Sequence, residues 1–383
     1  MNRDALTIPI DKLGVEFQNR VQRKQEILDA RDAELGSHRI WITSYMENIG
    51  WPELMGFDMN DFFADPELAF EMQLRERIFW ADNSLDDSYL DRTIYSDTGM
   101  YFDTTLFGTE IHHTKIGVPE FQPHAISQNP DPSIIKPFDF YRTGDMPVLI
   151  ERYKKLKEIS AARYDNYFPV DFPGFHRGPV DIYVQLRGYE NFLADTIEQP
   201  EVVHEFLDFF VNERSRYRKE REAFLGTTDQ TASPCVADDW VAIPFISPDI
   251  FMEFIIPAYR KIVANEGPVA HFHTCGRIDP IFADLLEVFP EISTVDMSWW
   301  NIMQIMDEIV PKNIAFAVAV INTFTLCSPP DEQRQKFEEI LEVSKHRKVS
   351  LNTQAIVKLL ATYEETMYKM NQTIELARSV FSQ

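Results

Sequence analysis

The chain has 383 residues, 44% of them hydrophobic, with 61 acidic residues against 37 basic ones and a net charge of −24. That apolar content supports a large buried core, and single α/β barrels routinely reach this length. So acidic a surface repels phosphate backbones and anionic lipid, which argues against nucleic-acid and membrane-surface binding.

Three cysteines, Cys235, Cys275 and Cys327, are too few and too odd in number for a disulfide framework. A reducing, cytoplasmic setting is expected. The sequence opens without an apolar signal core, and no run approaches the roughly 18 apolar residues of a membrane span.

In chain order, residues 11–35 carry Phe17, Val21, Ile27 and Leu28 at helical spacing and predict an N-terminal helix. Residues 39–43, opening on Arg39, predict a first strand. Residues 50–135 combine many aromatics, Asp and Pro with weak periodicity. They are expected to form excursions, a lid over a barrel mouth rather than a separate domain. The second half is more regular, with strands predicted at 178–186, 235–240, 268–275, 292–297, 314–321 and 349–353. Helical patterns lie between them. One covers 201–210 behind Pro200, and others start at Ser247–Pro248, Asp279–Pro280 and Ser328–Pro329. Alternating strands and helices imply a parallel sheet, and strands apolar on both parities imply burial on both faces. Six such units, with one or two more upstream, suit a closed barrel, with an open doubly wound sheet as the competing arrangement. No phosphate-cradling glycine motif is present. The expected architecture is one (β/α)8 TIM-type barrel over residues 1–383, with an N-terminal helical extension and mouth-covering insertions in 1–135.

The runs 178–188, 190–195, 200–204 and 246–262, with Asp238 and Asp239 between them, resemble the uroporphyrinogen decarboxylase superfamily. His273, Cys275 and Gly276 stand where its corrinoid-linked methyltransferases carry His-x-Cys-Gly. The resemblance covers residues 136–380 and implies a (β/α)8 barrel with its site at the C-terminal strand ends. Two departures stand out. Residues 39–43 lack the arginine-rich segment by which the porphyrin decarboxylases bind substrate carboxylates. Residues 351–356 lack the further cysteine with which the zinc methyltransferases complete their site.

Residues two apart on a strand share a face, so His271, His273 and Cys275 point the same way. Imidazole and thiolate are ligands that zinc prefers, and a catalytic zinc takes three protein ligands and keeps one open position. The resemblance implies zinc on His273 and Cys275, activating a thiol or reduced-folate acceptor, with the methyl group arriving from a corrinoid carried by a partner protein. His271, Cys327, Cys235 and a carboxylate such as Asp239 are the alternatives for the third ligand. Asp239, Asp296 and His273 are the catalytic candidates. Arg187, Asp238, Trp299 and Tyr183 are the substrate-binding candidates. Arg177 and Arg187 suit an anionic substrate, or else a structural acid partner. His204 reads as a packing or surface residue, and His112–His113 falls in a region without assigned structure. Two other readings use the same residues. In a metal-free lyase acting on a small carboxylic acid, Asp239 stabilises a cationic intermediate and His273 donates a proton. A ligand-binding barrel would use them without turnover.

Overall fold

Eight short parallel strands follow one another around a ring. The structure, a computed structural model, describes every residue except 37–39, 47–49, 97–98, 100, 116–119, 228–234 and 355–359. The strands are β1 Trp41–Tyr45, β2 Ile94–Tyr95, β3 Val170–Asp171, β4 Cys235–Ala237, β5 His271–Thr274, β6 Thr294–Ser298, β7 Ala315–Val320 and β8 Val349–Gln354. Hydrogen bonding joins β1, β8, β7, β6, β5 and β4 in that order as one parallel sheet. The segment leaving β3 reaches β4 through a parallel bridge between Arg177 and Ala237, and β3 pairs with β2. The result is a (β/α)8 barrel. Among the described residues, β1 and β2 alone are sequence neighbours that share no ladder or bridge.

The helices that wrap the ring begin where local chemistry allows. Proline takes the first helical position at Pro66, Pro200 and Pro330, where its missing N–H costs nothing. Ser247 caps the turn at Pro248, and Thr362 with Glu365 forms a capping box for the last helix, Tyr363–Phe381. One apolar cluster runs from Phe17 of the first helix, Leu13–Leu35, through Phe206, Phe272 and Val318 to Ile374 and Val380. No described helix is long and apolar enough to cross a membrane.

Two expectations need correction. Residues 178–186 are not a strand but part of the helix Pro179–Arg187. Their alternating Val180, Ile182, Val184 and Leu186 mimic a strand because the helix is buried on nearly every side, which erases its polar face. Pro179 and the Asp238 carboxylate at its first amides decide the issue. Residues 50–135 also hold more than excursions. They contain β2 and the long helix Pro66–Asn83, besides a small antiparallel pair, Ile111–His112 with Glu120–Phe121. Arg39, which opened the predicted first strand, lies outside the described residues, as do Ala355 and Ile356 of the stretch after β8.

Candidate metal centre

The register of the sheet assembles the site. His273 in β5 lies level with Ala237 of β4 on one side and Asp296 of β6 on the other. Its Nδ1 therefore meets Asp296 Oδ2 at 2.8 Å, a cross-strand pair. Its Nε2 faces the mouth, 3.2 Å from Oδ1 of Asp239, two residues beyond β4. Cys275, just past the end of β5, places Sγ 3.1 Å from Asp239 Oδ1 and 3.6 Å from His273 Nε2. Ligand atoms of Asp239, His273 and Cys275 all lie within 4.8 Å of one another, the one such group among the described residues.

These separations can be tested against a metal. Tetrahedral bonds of about 2.0–2.3 Å set ligand atoms about 3.3–3.8 Å apart. The observed 3.1, 3.2 and 3.6 Å are close to that, and need only a small outward shift. One nitrogen, one sulfur and one carboxylate oxygen is a donor set suited to zinc, and Asp296 on the far ring nitrogen is the usual outer partner of a ligating histidine. The residues present fit the ion.

Two residues outside the cluster shape it. A Cβ on Gly276 would lie 2.1 Å from Ala242 Cβ, so only glycine lets the turn after β5 settle against the turn that carries Asp239. Buried Asn301 accepts from the amides of Ile278 (2.7 Å) and Asp279 (3.1 Å) and donates to the carbonyls of Gly276 and Ser298, which ties that turn to the end of β6. Sequence reasoning missed Asn301, because an asparagine after two tryptophans carries no local sign of such a role.

Burial works against charge on His273, but its hydrogen bonds to Asp239 and Asp296 hold the imidazole well above its ordinary range. For Asp239, burial is outweighed by His273 and by the hydrogen bond from Cys275, and its carboxyl is held below the usual value. Burial, with the Asp239 charge adding to it, keeps the Cys275 thiol above its ordinary value despite His273. Behind Asp239, Arg177 bonds Asp103 (3.0 Å) and Asp181 (3.1 Å), so it serves a buried acid pair.

The structure thus gathers Asp239, His273, Cys275 and Asp296. It does not bring in His271, which sits two residues deeper, level with Cys235 and Thr294. Cys327 is exposed at the end of the helix Asn322–Cys327 and is likewise outside the group. Three substrate-binding candidates have structural surroundings instead. Asp238 is fully buried; it accepts from the amides of Val180 and Asp181 and from the Tyr259 hydroxyl. Tyr183 is fully buried and donates to Asp195 at 2.9 Å. Arg187 grips the same carboxylate and the carbonyls of Ile126 and Ser127. Trp299, beyond β6, packs on Trp300 and Phe324, with Trp300 54% exposed beside it. His204 packs against Phe254 and His113 against Phe63.

Comparison with known proteins agrees with this architecture. The family model described as uroporphyrinogen decarboxylase (URO-D) matches residues 40–354. A methylated-thiol–coenzyme M methyltransferase of Methanosarcina mazei is 26% identical over 148 residues, 39% of this chain and 37% of that protein. The methylcobamide:CoM methyltransferase MtaA of Methanosarcina barkeri is 23% identical over 151 residues, 39% of this chain and 41% of its own. The chain therefore spans less than half the length of these two curated relatives. A solved structure, a methyltransferase from Methanosarcina mazei, superposes with a TM-score of 0.60 at 17% identity over 90% of this chain and 94% of that one, a likeness of fold.

Proposed function

The chain belongs to the uroporphyrinogen decarboxylase family, and from that premise we propose that it is a methyltransferase of a corrinoid-dependent demethylation system. It would take a methyl group from a corrinoid carried by a partner protein and pass it to a thiol or a reduced folate. The observation that carries the reading is the convergence of Asp239, His273 and Cys275 at the barrel mouth. Asp239 takes the third ligand place that residues after β8 fill in the zinc methyltransferases the sequence resembles. When bound there, zinc would lower the pKa of an acceptor thiol and so supply a nucleophile at neutral pH.

The chain's own residues do the rest. Asp296 keeps the ring proton of His273 on Nδ1 and aims Nε2 at the mouth. To hold the ion, Cys275 would give up its thiol proton and Asp239 the hydrogen bonds it makes with His273 and Cys275. Arg177, fixed by Asp103 and Asp181, offsets part of the negative charge that gathers around Asp239. An acceptor thiol held at this mouth would release its proton to solvent and take the methyl group, the bond between methyl and corrinoid breaking with its electron pair left on the corrinoid.

A second reading has one observation in its favour. Between two carboxylates, His273 without a metal is held as an imidazolium, the proton donor that a lyase would need. The metal content of the purified protein, beside a Cys275→Ala variant, separates the two. Near-stoichiometric zinc that is lost in the variant supports the methyltransferase. Zinc absent after purification without chelator, and still absent after reconstitution, removes it.

A further inference from the structure

The parting between β1 and β2 is lined by side chains that do the work of a missing ladder. Asp87 Oδ2 accepts from the amide of Ile42 at 3.0 Å, and Asp86 Oδ2 from that of Ser44 at 3.0 Å. On the other side, Gln73 accepts from the amide of Tyr95 (2.8 Å) and donates to its carbonyl (3.0 Å). With both edges satisfied in this way, the strands stay apart. A cavity of about 380 Å³ opens between them, within the size range of small-molecule pockets. Its walls include Trp51, Trp80 and Tyr95, and no member of the Asp239–His273–Cys275 group lines it.

The helix Pro66–Asn83 turns Gln73, Glu76, Arg77 and Trp80 toward this space at the three-and-four spacing of one helical face. Arg77 is the cation of this face. Its Nη1 is fully buried with no hydrogen-bond partner. Arg187, Arg214 and Arg347 are held by carboxylates, those of Asp195, Glu266 and Asp307, and Arg152 by the carbonyls of Phe62 and Phe63. The nearby cation Lys24 is taken by Asp86 at 3.1 Å. Both oxygens of Asp91, a further acid in the wall, are occupied, by the amide of Thr93 (2.8 Å) and the hydroxyl of Tyr95 (2.7 Å). Asp91 still attracts Arg77 at longer range, and the guanidinium lies 5.7 Å from the Tyr95 ring centroid, but a buried N–H without an acceptor is costly, and a planar two-oxygen acid is the partner its geometry matches.

We propose that this cavity is a binding site for a small aromatic carboxylate, its two oxygens on Arg77 and its ring against Trp51, Trp80 and Tyr95. Burial pushes the Glu76 carboxyl up to about 8. At neutral pH that group is a neutral acid, which offers an O–H to one of the ligand's oxygens.

The test is titration calorimetry of the full chain with 4-bromobenzoate and with inorganic phosphate, in wild type and in Arg77→Gln, followed by crystals soaked in 4-bromobenzoate. Wild type should bind 4-bromobenzoate more tightly than phosphate, and Arg77→Gln should bind it at least tenfold more weakly. The bromine signal should fall inside the cavity. No binding by wild type at millimolar concentration, equal binding by the variant, phosphate binding as tight as that of bromobenzoate, or bromine elsewhere would each overturn the proposal. Should Arg77→Gln fail to fold, the bromine position in wild type decides. Zinc at the mouth should leave these results unchanged, so they are read independently of methyl transfer.

Discussion

Replacing Asp296 by Asn keeps an oxygen near His273 Nδ1 but removes the charge that now sits 2.8 Å from it. If His273 ligates a metal through Nε2, losing such an outer partner costs about 10–100-fold in affinity, roughly 1.4–2.7 kcal/mol. A second effect runs the other way. In the metal-free protein the two flanking carboxylates overcome burial and hold His273 protonated, so an incoming ion must displace a proton there and another from the Cys275 thiol. Wild-type affinity should therefore rise with pH across the neutral range. Without Asp296 the folded-state pKa of His273 falls, less proton competition remains, and the rise is shallower. The deficit of Asp296→Asn is thus expected to be larger at pH 8.5 than at pH 6.5. Competition against a chromophoric chelator at the two pH values measures both terms, with circular dichroism as the check on folding. Equal affinity and equal pH slope in the two proteins would refute the idea that Asp296 acts through a metal-ligating His273.

Gly276→Ala forces a Cβ to within 2.1 Å of Ala242 Cβ, where neither side chain can rotate away. Thermal melts should show a loss of about 1–3 kcal/mol, with weaker zinc retention because the turns carrying Asp239 and Cys275 are pushed apart. Glu76, with its carboxyl raised to about 8, holds a proton in the folded state that it has lost when unfolded at neutral pH, so stability falls as pH rises from about 4.5 to 8. Glu76→Gln should remove that slope, leaving melts unchanged near pH 5 and raising stability near pH 8.5 by about 2 kcal/mol once water in the cavity is allowed for. Asp238→Ala should cost about 2–4 kcal/mol in denaturant titration, by orphaning two amides and the Tyr259 hydroxyl, yet leave zinc on the folded protein. Asp239→Ala should do the reverse, and similar metal loss in both variants would count against dividing the two roles between them.

What the sequence made legible follows from local patterns. The strands at 271–274, 294–298 and 349–354 alternate apolar and polar residues and 315–320 is apolar throughout, all between clear helical patterns, and the cluster around His273 was visible because alternation along one strand needs no tertiary knowledge. Missed elements lacked such signals. β2 and β3 are two residues each, too short to show any period. The helix Pro179–Arg187 is buried all round, so its strand-like alternation had no polar face to contradict it. Tyr183 and Arg187 looked like site residues because that segment was placed in the barrel wall. Their real partner, Asp195, comes eight residues after Arg187, on the next helix.

The hardest distinction was between Asp238 and Asp239, which share a residue type and adjoin each other. Consecutive residues leave an extended backbone on opposite sides, so the end of β4 had to send one carboxylate inward and one toward the mouth. Which went where depends on what waits on each side. Gly178, where a Cβ would lie 2.2 Å from Asp238 Oδ2, leaves room for that carboxylate to reach the first amides of the next helix. Gly276 lets the turn after β5 approach Asp239. Two glycines far apart in the chain thus assign the two acids their separate places. Under the proposed function, the same geometry would account for the lack of a cysteine in residues 351–356. With Asp239 brought to within 3.2 Å of both His273 Nε2 and Cys275 Sγ, the proposed metal would take its third ligand from the turn after β4, and one thiolate plus one carboxylate would carry the same charge as two thiolates.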